Sequence, residues 1–241
     1  MSGHSKWATI KRQKGVADIK RGQAFTKISN AITIAVRSGG GVTDPENNFR
    51  LRLAIEKAKG ANMPKENIER ALRRAQSKQV SEVEEVIYEG FARGGISVII
   101  EAVTDNPQRT TSEVKSIFSK EGASFGKPGS VAYQFASKGR ISIQKNGKSL
   151  DEIFNLAAES GAQDLEEIGD DVFVYTAPFE LSKVRRMLLE KGLNIGDTEI
   201  IRKPTQTVSI KDEEQREKTI NFLHKLEDLD DVQKVYSNLK I

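Results

Sequence analysis

Between residues 139 and 203 the chain strings six short segments in an order that admits few folds. Ile141-Ser142-Ile143 alternates as a strand does. Ser149-Leu150-Asp151-Glu152 is a capping box, in which a hydroxyl and a carboxylate satisfy free N–H groups at a helix start. Ile153, Leu156 and Ala157 then mark the inward stripe of that helix. Two strands follow, near Asp164–Ile168 and Val172–Tyr175, joined by Gly169-Asp170-Asp171. Pro178 opens a second helix with Leu181, Val184 and Leu188 inward, and a last strand lies near Glu199–Arg202. Strand-helix-strand-strand-helix-strand is the ferredoxin-like arrangement.

The flanking sequence repeats the order in two halves. Ile96–Ile100, a helix containing Val114, Ile117 and Phe118, and a strand near Val131–Phe135 form the first half. Thr110-Thr111-Ser112-Glu113 reads as the capping box of that helix, and Gly122 ends it. The second half is a strand at Gln206–Ile210, a helix at Glu213–Leu226 opened by Asp212, and a strand at Val232–Ser237. Neither half alone buries a core. Residues 80–137 and 204–241 are therefore expected to form one discontinuous α+β domain, with 138–203 inserted as another. Val86–Phe91 adds an extra strand, set off from Ile96 by the hairpin signal Arg93-Gly94-Gly95.

Residues 1–79 are helical in pattern. Phe25, Ile28, Ile32 and Val36 recur at spacings of three and four within 16–38, and Gly39-Gly40-Gly41 ends that helix. Asp44-Pro45 is expected to cap and open a second helix running to Lys59, with Phe49, Leu53 and Ala54 inward. Asn62 and Pro64 open a third, whose stripe is Ile68, Leu72 and Ala75. The expected fold class is α+β and multi-domain: an N-terminal helical bundle, then two ferredoxin-like domains, one inserted into the other.

Charge separates the first module from the rest. Residues 1–79 hold 17 Lys and Arg against 6 Asp and Glu, whereas residues 80–241 hold 21 against 28. A basic module on an acidic body points to an anionic partner for the module. The absence of cysteine excludes disulfides, thiolate nucleophiles and Cys-based metal sites. His4 and His224, far apart, make no convincing catalytic triad or metal pair. The triple glycine lacks the Lys-Ser/Thr of a phosphate loop and follows a helix. No apolar run approaches the ~20 residues of a membrane span, and no signal-peptide pattern precedes the first motif. No metal, cofactor, membrane or small-molecule substrate is expected, and the chain reads as a cytoplasmic monomer.

The candidate nucleic-acid-binding residues are Lys6, Trp7, Lys11, Arg12, Lys14, Lys20, Arg21 and Lys27 in the arm, with Arg70, Arg73 and Arg74 on the outer side of the third helix. Each cation that neutralises a phosphate releases a counterion. Trp7 either stacks on an unpaired base or anchors the arm to the fold. Arg109, at a strand-to-helix turn, and Lys127, in a glycine-rich loop, are secondary candidates; for Arg109 the alternative is a turn that only compensates the helix dipole.

GHSKWATIKRQK, RGQAFTKI, NFRLRLAIEKAKGANMPKENIERAL, YEGF, TDNPQRT and GKPGSVAYQF, in this order and spread over the chain, resemble the YebC family. That family also contains the mitochondrial translational activator of cytochrome c oxidase subunit I. The resemblance implies a helical domain plus two α+β domains, no enzymatic activity and no cofactor. It implies either a DNA-binding transcriptional regulator or a translation factor bound to rRNA and the ribosome, of the bacterial, cytosolic type. Without a conspicuous helix-turn-helix recognition helix, the residues themselves favour RNA. The competing reading is a protein-interaction adaptor whose α+β domains bind the partner.

Overall fold

The computed structural model describes residues 18–76 and 83–240, the first four by backbone alone. It divides into two compact units, one of Phe135–Thr207 and one of residues 18–134 with Val208–Leu239.

The second unit begins with three helices, α1 (Asp18–Ser38), α2 (Phe49–Gly60) and α3 (Lys65–Gln76). Ile28, Ile32, Val36, Leu51, Ala58 and Ile68 pack as their common core. α1 stops at a left-handed residue, Gly40 at φ 68°. The Gly41 N–H then reaches back to the Val36 carbonyl at 2.8 Å, satisfying an end carbonyl of the helix. Asp44 does not cap α2, as the sequence suggests. It holds a turn, accepting from the Glu46 N–H and the Asn47 side chain. The cap is Asn48, whose Oδ1 accepts from the Leu51 N–H at 3.0 Å. Its amide donates to the Ala35 and Val42 carbonyls, so one buried side chain ties together α1, the turn and α2. With the start moved to Phe49, Leu51 rather than Leu53 becomes the fully buried leucine.

β1 (Glu84–Ala92) and β2 (Ile96–Thr104) form the expected hairpin, followed by α4 (Pro107–Lys120) and the short β3 (Ser124–Phe125). The helix starts at Pro107, capped by Asn106, so Thr110–Glu113 lies inside it and is no capping box. The Val131–Phe135 strand is also absent: Ala132–Gln134 is a 3-10 turn, and β4 (Phe135–Gln144) belongs to the other unit.

That unit continues with α5 (Leu150–Glu159), β5 (Asp164–Ile168), β6 (Asp171–Thr176), α6 (Leu181–Glu190) and β7 (Asn194–Pro204). Its antiparallel sheet has the order β5-β6-β4-β7, which is the ferredoxin-like pattern. The capping box of Ser149 and Glu152 is formed.

The chain then returns to the outer unit with α7 (Glu213–Glu227), capped by Asp212, and β8 (Val232–Ser237). The strand expected at 206–210 is reduced to one bridge, Val208 to Leu239. The outer sheet is antiparallel with the order β3-β1-β2-β8. The β1 segment, which reads in sequence as an extra strand, is interior to it. Phe118 of α4 stacks edge-on against Phe222 of α7 at 5.1 Å and lies over Gly90, where a Cβ would come within 2.4 Å of its ring. On the opposite face Val103 packs with Ile34 of α1 and Val83. No helix among the described residues is long and apolar enough to cross a membrane.

Candidate nucleic-acid interface

Asn62 takes the left-handed conformation at φ 55° and ends α2, letting the Met63 N–H reach the Ala58 carbonyl. Pro64 precedes the first turn of α3, and Ile68 and Ala71 pin the helix to the core. The 3.6-residue period then leaves Glu66, Glu69, Arg70, Arg73 and Arg74 outward. Arg70 and Arg74, one turn apart, line a shallow depression of about 250 Å³ with Asn67, and Thr26, Ser29 and Asn30 of α1 line it too. Two guanidinium groups beside hydroxyl and amide side chains suit phosphate, which guanidinium binds bidentately. Arg73 pairs with Glu69 at 3.7 Å, as does Lys65, across exposed helix positions where such pairs contribute little.

Lys6, Trp7, Lys11, Arg12 and Lys14 lie outside the described residues. Lys20 and Arg21 fall on the first turn of α1. Lys27 is not a solvent-directed cation. Its ammonium donates to the Glu227 carbonyl at the C-terminal end of α7, where a positive charge also meets the negative end of the helix dipole. It fastens the helical bundle to the outer α+β fold, as do Arg37 to the Val83 carbonyl and Arg50 to Glu85.

Arg109 is likewise committed. It donates to Asp231 at 2.8 Å and to Asp105 at 3.1 Å, and these carboxylates hold its guanidinium more firmly protonated than usual. Burial pushes the Asp231 carboxyl up, but hydrogen bonds from Arg109, Thr110 and Thr104 outweigh it and hold the group below the ordinary carboxylate value. The geometry is that of a turn locked onto a helix start.

Lys127 is exposed in a loop, 126–134, that one buried side chain organises. The Glu89 carboxylate, from the interior strand β1, accepts the N–H groups of Gly129, Val131 and Ala132 at 2.7, 2.7 and 2.9 Å. Val131 is fully buried, while Tyr133, two residues on, is 76% exposed. A strand would place both on one face; the 3-10 turn rotates Tyr133 outward, which is why the alternating pattern conceals it.

Open sheet faces of ferredoxin-like RNA binders offer aromatic rings to bases. Here Phe173 and Tyr175 of β6 are spent internally. The Arg140 guanidinium lies 5.1 Å from the Phe173 ring centre, and the Lys203 ammonium 3.7 Å from that of Tyr175. Arg140 pairs with Glu199, and Lys203 with Asp164 and Glu166. Both rings are almost wholly buried, leaving no base platform there. Among the described residues no group of acids and histidines is arranged to hold a metal ion.

Family models match in two consecutive blocks: residues 5–78 match the TACO1/YebC protein N-terminal domain, and residues 83–239 the TACO1/YebC second and third domain. Relatives named probable transcriptional regulatory protein include one from Sulfurihydrogenibium sp. (strain YO3AOP1), 50% identical over all of this chain and 96% of the relative. Another, from Persephonella marina, is 49% identical with the same coverage. The crystal structure of a conserved hypothetical protein from Aquifex aeolicus superposes with a TM-score of 0.87 at 44% identity, covering 95% of this chain and 94% of that one. With both blocks matched and half of all residues identical to a full-length relative, the chain belongs to the TACO1/YebC family.

Proposed function

We propose that this chain is a non-catalytic regulator of gene expression that binds structured RNA, such as ribosomal RNA, through the cationic side of its helical module. The observation that carries the reading is the pair Arg70 and Arg74, set one turn apart in a depression that Phe25, Thr26, Ser29 and Asn30 of α1 also line. The excess of 17 cations over 6 acids in residues 1–79 supports it. The relatives' name, probable transcriptional regulatory protein, supports the regulatory part. RNA is favoured over a DNA operator because Glu66 and Glu69 share the outward side of α3 with the arginines. A helix laid into a major groove would bring those acids against phosphate, whereas contact along one edge suits recognition of backbone and shape.

The test is co-sedimentation with ribosomes, alongside titration of duplex DNA, over a salt series. It uses wild type, Lys11→Ala/Arg12→Ala/Lys14→Ala and Arg70→Ala/Arg74→Ala. The reading expects salt-sensitive ribosome binding that survives competitor DNA and falls in both variants. For ~5 duplex phosphates the logarithmic salt slope is about −4.5. Tight DNA binding without ribosome association restores the transcriptional assignment, and salt-independent binding refutes the electrostatic one. The exposure of Phe179, at 86%, is the observation that favours a protein adaptor instead. An adaptor would retain its partner after Arg70→Glu/Arg74→Glu.

A further inference from the structure

The loop 126–134 has the construction of a binding element. Its backbone is fixed before any partner arrives. Glu89 holds three of its N–H groups, the Gly126 N–H donates to the Glu89 carbonyl at 2.8 Å, and the Ser130 side chain closes onto the Lys127 carbonyl. At its end the Gln134 side-chain oxygen Oε1 accepts from Ser97 Oγ at 2.9 Å and from the Asn238 side-chain amide at 3.3 Å. The Gln134 amide in turn donates to the Tyr133 hydroxyl at 3.2 Å. A ring three-quarters exposed, on a backbone this constrained, would lose little conformational freedom on contact with a flat partner.

We propose that Tyr133 stacks on one unpaired nucleobase of a bound RNA, with Lys127 meeting the neighbouring phosphate; this rests on the RNA-binding reading above. Charge and shape agree with it. The one carboxylate in the assembly, Glu89, is buried and spent on backbone donors, so the exposed face of the loop carries the Lys127 cation. The aromatic rings of the β6 sheet face are covered by their own cations, so a base cannot stack there. Stacking accepts any base, so the preference is for unpaired over paired structure and not for a sequence.

The experiment measures fluorescence anisotropy of the full chain with two labelled RNA hairpins, one carrying a single bulged nucleotide and one fully paired. Variants are Tyr133→Ala, Tyr133→Phe and Arg70→Ala/Arg74→Ala. The wild type should bind the bulged hairpin more tightly. Tyr133→Ala should lose about tenfold on it and nothing on the paired hairpin, as expected for one stacked base. Tyr133→Phe, which keeps the ring, should retain the preference. If Tyr133→Ala matches the wild type, or weakens both hairpins equally, the stacking assignment is wrong while the role of Arg70 and Arg74 stands on its own variant. Wild type binding neither hairpin overturns both.

Discussion

Glu89→Gln removes little volume and tests whether one carboxylate organises the loop 126–134. The carboxylate accepts three backbone N–H groups, one on Oε1 and two on Oε2. Hydrogen bonds to a charged group contribute about 1.5–3 kcal/mol each. In the glutamine, one oxygen still accepts from Val131 and Ala132, as neutral and weaker bonds, but the amide now points its own N–H at that of Gly129. One lost charge-assisted bond and two weakened ones give an expected destabilisation of about 2–4 kcal/mol. That is a large part of the 5–15 kcal/mol typical of a folded domain. Urea denaturation followed by circular dichroism reads the global loss. Amide hydrogen exchange at Val131 and Ala132 reads the local one, which should appear as faster exchange there and in β1 before it appears in α2. An unfolding free energy within about 0.5 kcal/mol of wild type, with unchanged protection at those two amides, would refute the assignment of Glu89 as the loop's organiser.

Asn48→Ala removes a buried side chain that makes three hydrogen bonds, leaving the Leu51 N–H and two carbonyls without it; a loss of about 1–3 kcal/mol is expected, read by thermal denaturation. Asp231, whose carboxyl is held below its ordinary value, contributes stability that is complete above the unfolded pKa and is lost as pH falls through the lower folded one. Asp231→Asn should therefore flatten the acid limb of a stability–pH curve below the ordinary carboxylate range while leaving its neutral slope unchanged. Arg140→Met removes the guanidinium that pairs with Glu199 and lies over the Phe173 ring; a loss of about 2 kcal/mol in urea is expected, and a double variant that also neutralises Glu199 should recover part of it.

The inserted unit is legible in the sequence because each of its boundaries carries a local signal. Ser149 with Glu152, Gly169 and Pro178 each fix an end within a few residues. The helical bundle and outer unit are less so, since their decisive choices are tertiary. Asp44 and Asn48 are equally plausible caps by local rules, but only an amide can also donate to the Ala35 and Val42 carbonyls. Thr110 resembles an N-cap, yet Asn106 starts the helix four residues earlier, and the Thr110 hydroxyl serves Asp231 across 121 positions of sequence. Counting cations locates the basic module correctly as a composition, but it overstates the number available to a ligand. Lys27 donates to a carbonyl 200 residues away, and Arg109, beside its local partner Asp105, reaches Asp231 122 residues on, contacts invisible to any window. Tyr133 escapes notice because Val131, Tyr133 and Phe135 alternate in sequence as a buried strand face would, whereas the 3-10 turn sets Tyr133 off from Val131.

The insertion has a consequence for the order in which the protein can form. β2 is completed on one side by β8, and the Ser97 N–H closes onto the Asn238 side chain 141 positions later. The ferredoxin-like unit, by contrast, draws all its strands from Phe135–Thr207. During vectorial synthesis its sheet can close while the hydrophobic edge of β2, with Ile99 and Ile100 fully buried in the finished fold, still waits for a strand not yet made. The outer domain is thus begun before the inserted one and finished after it, and the interval is when the nascent chain is most exposed to mispairing along that edge.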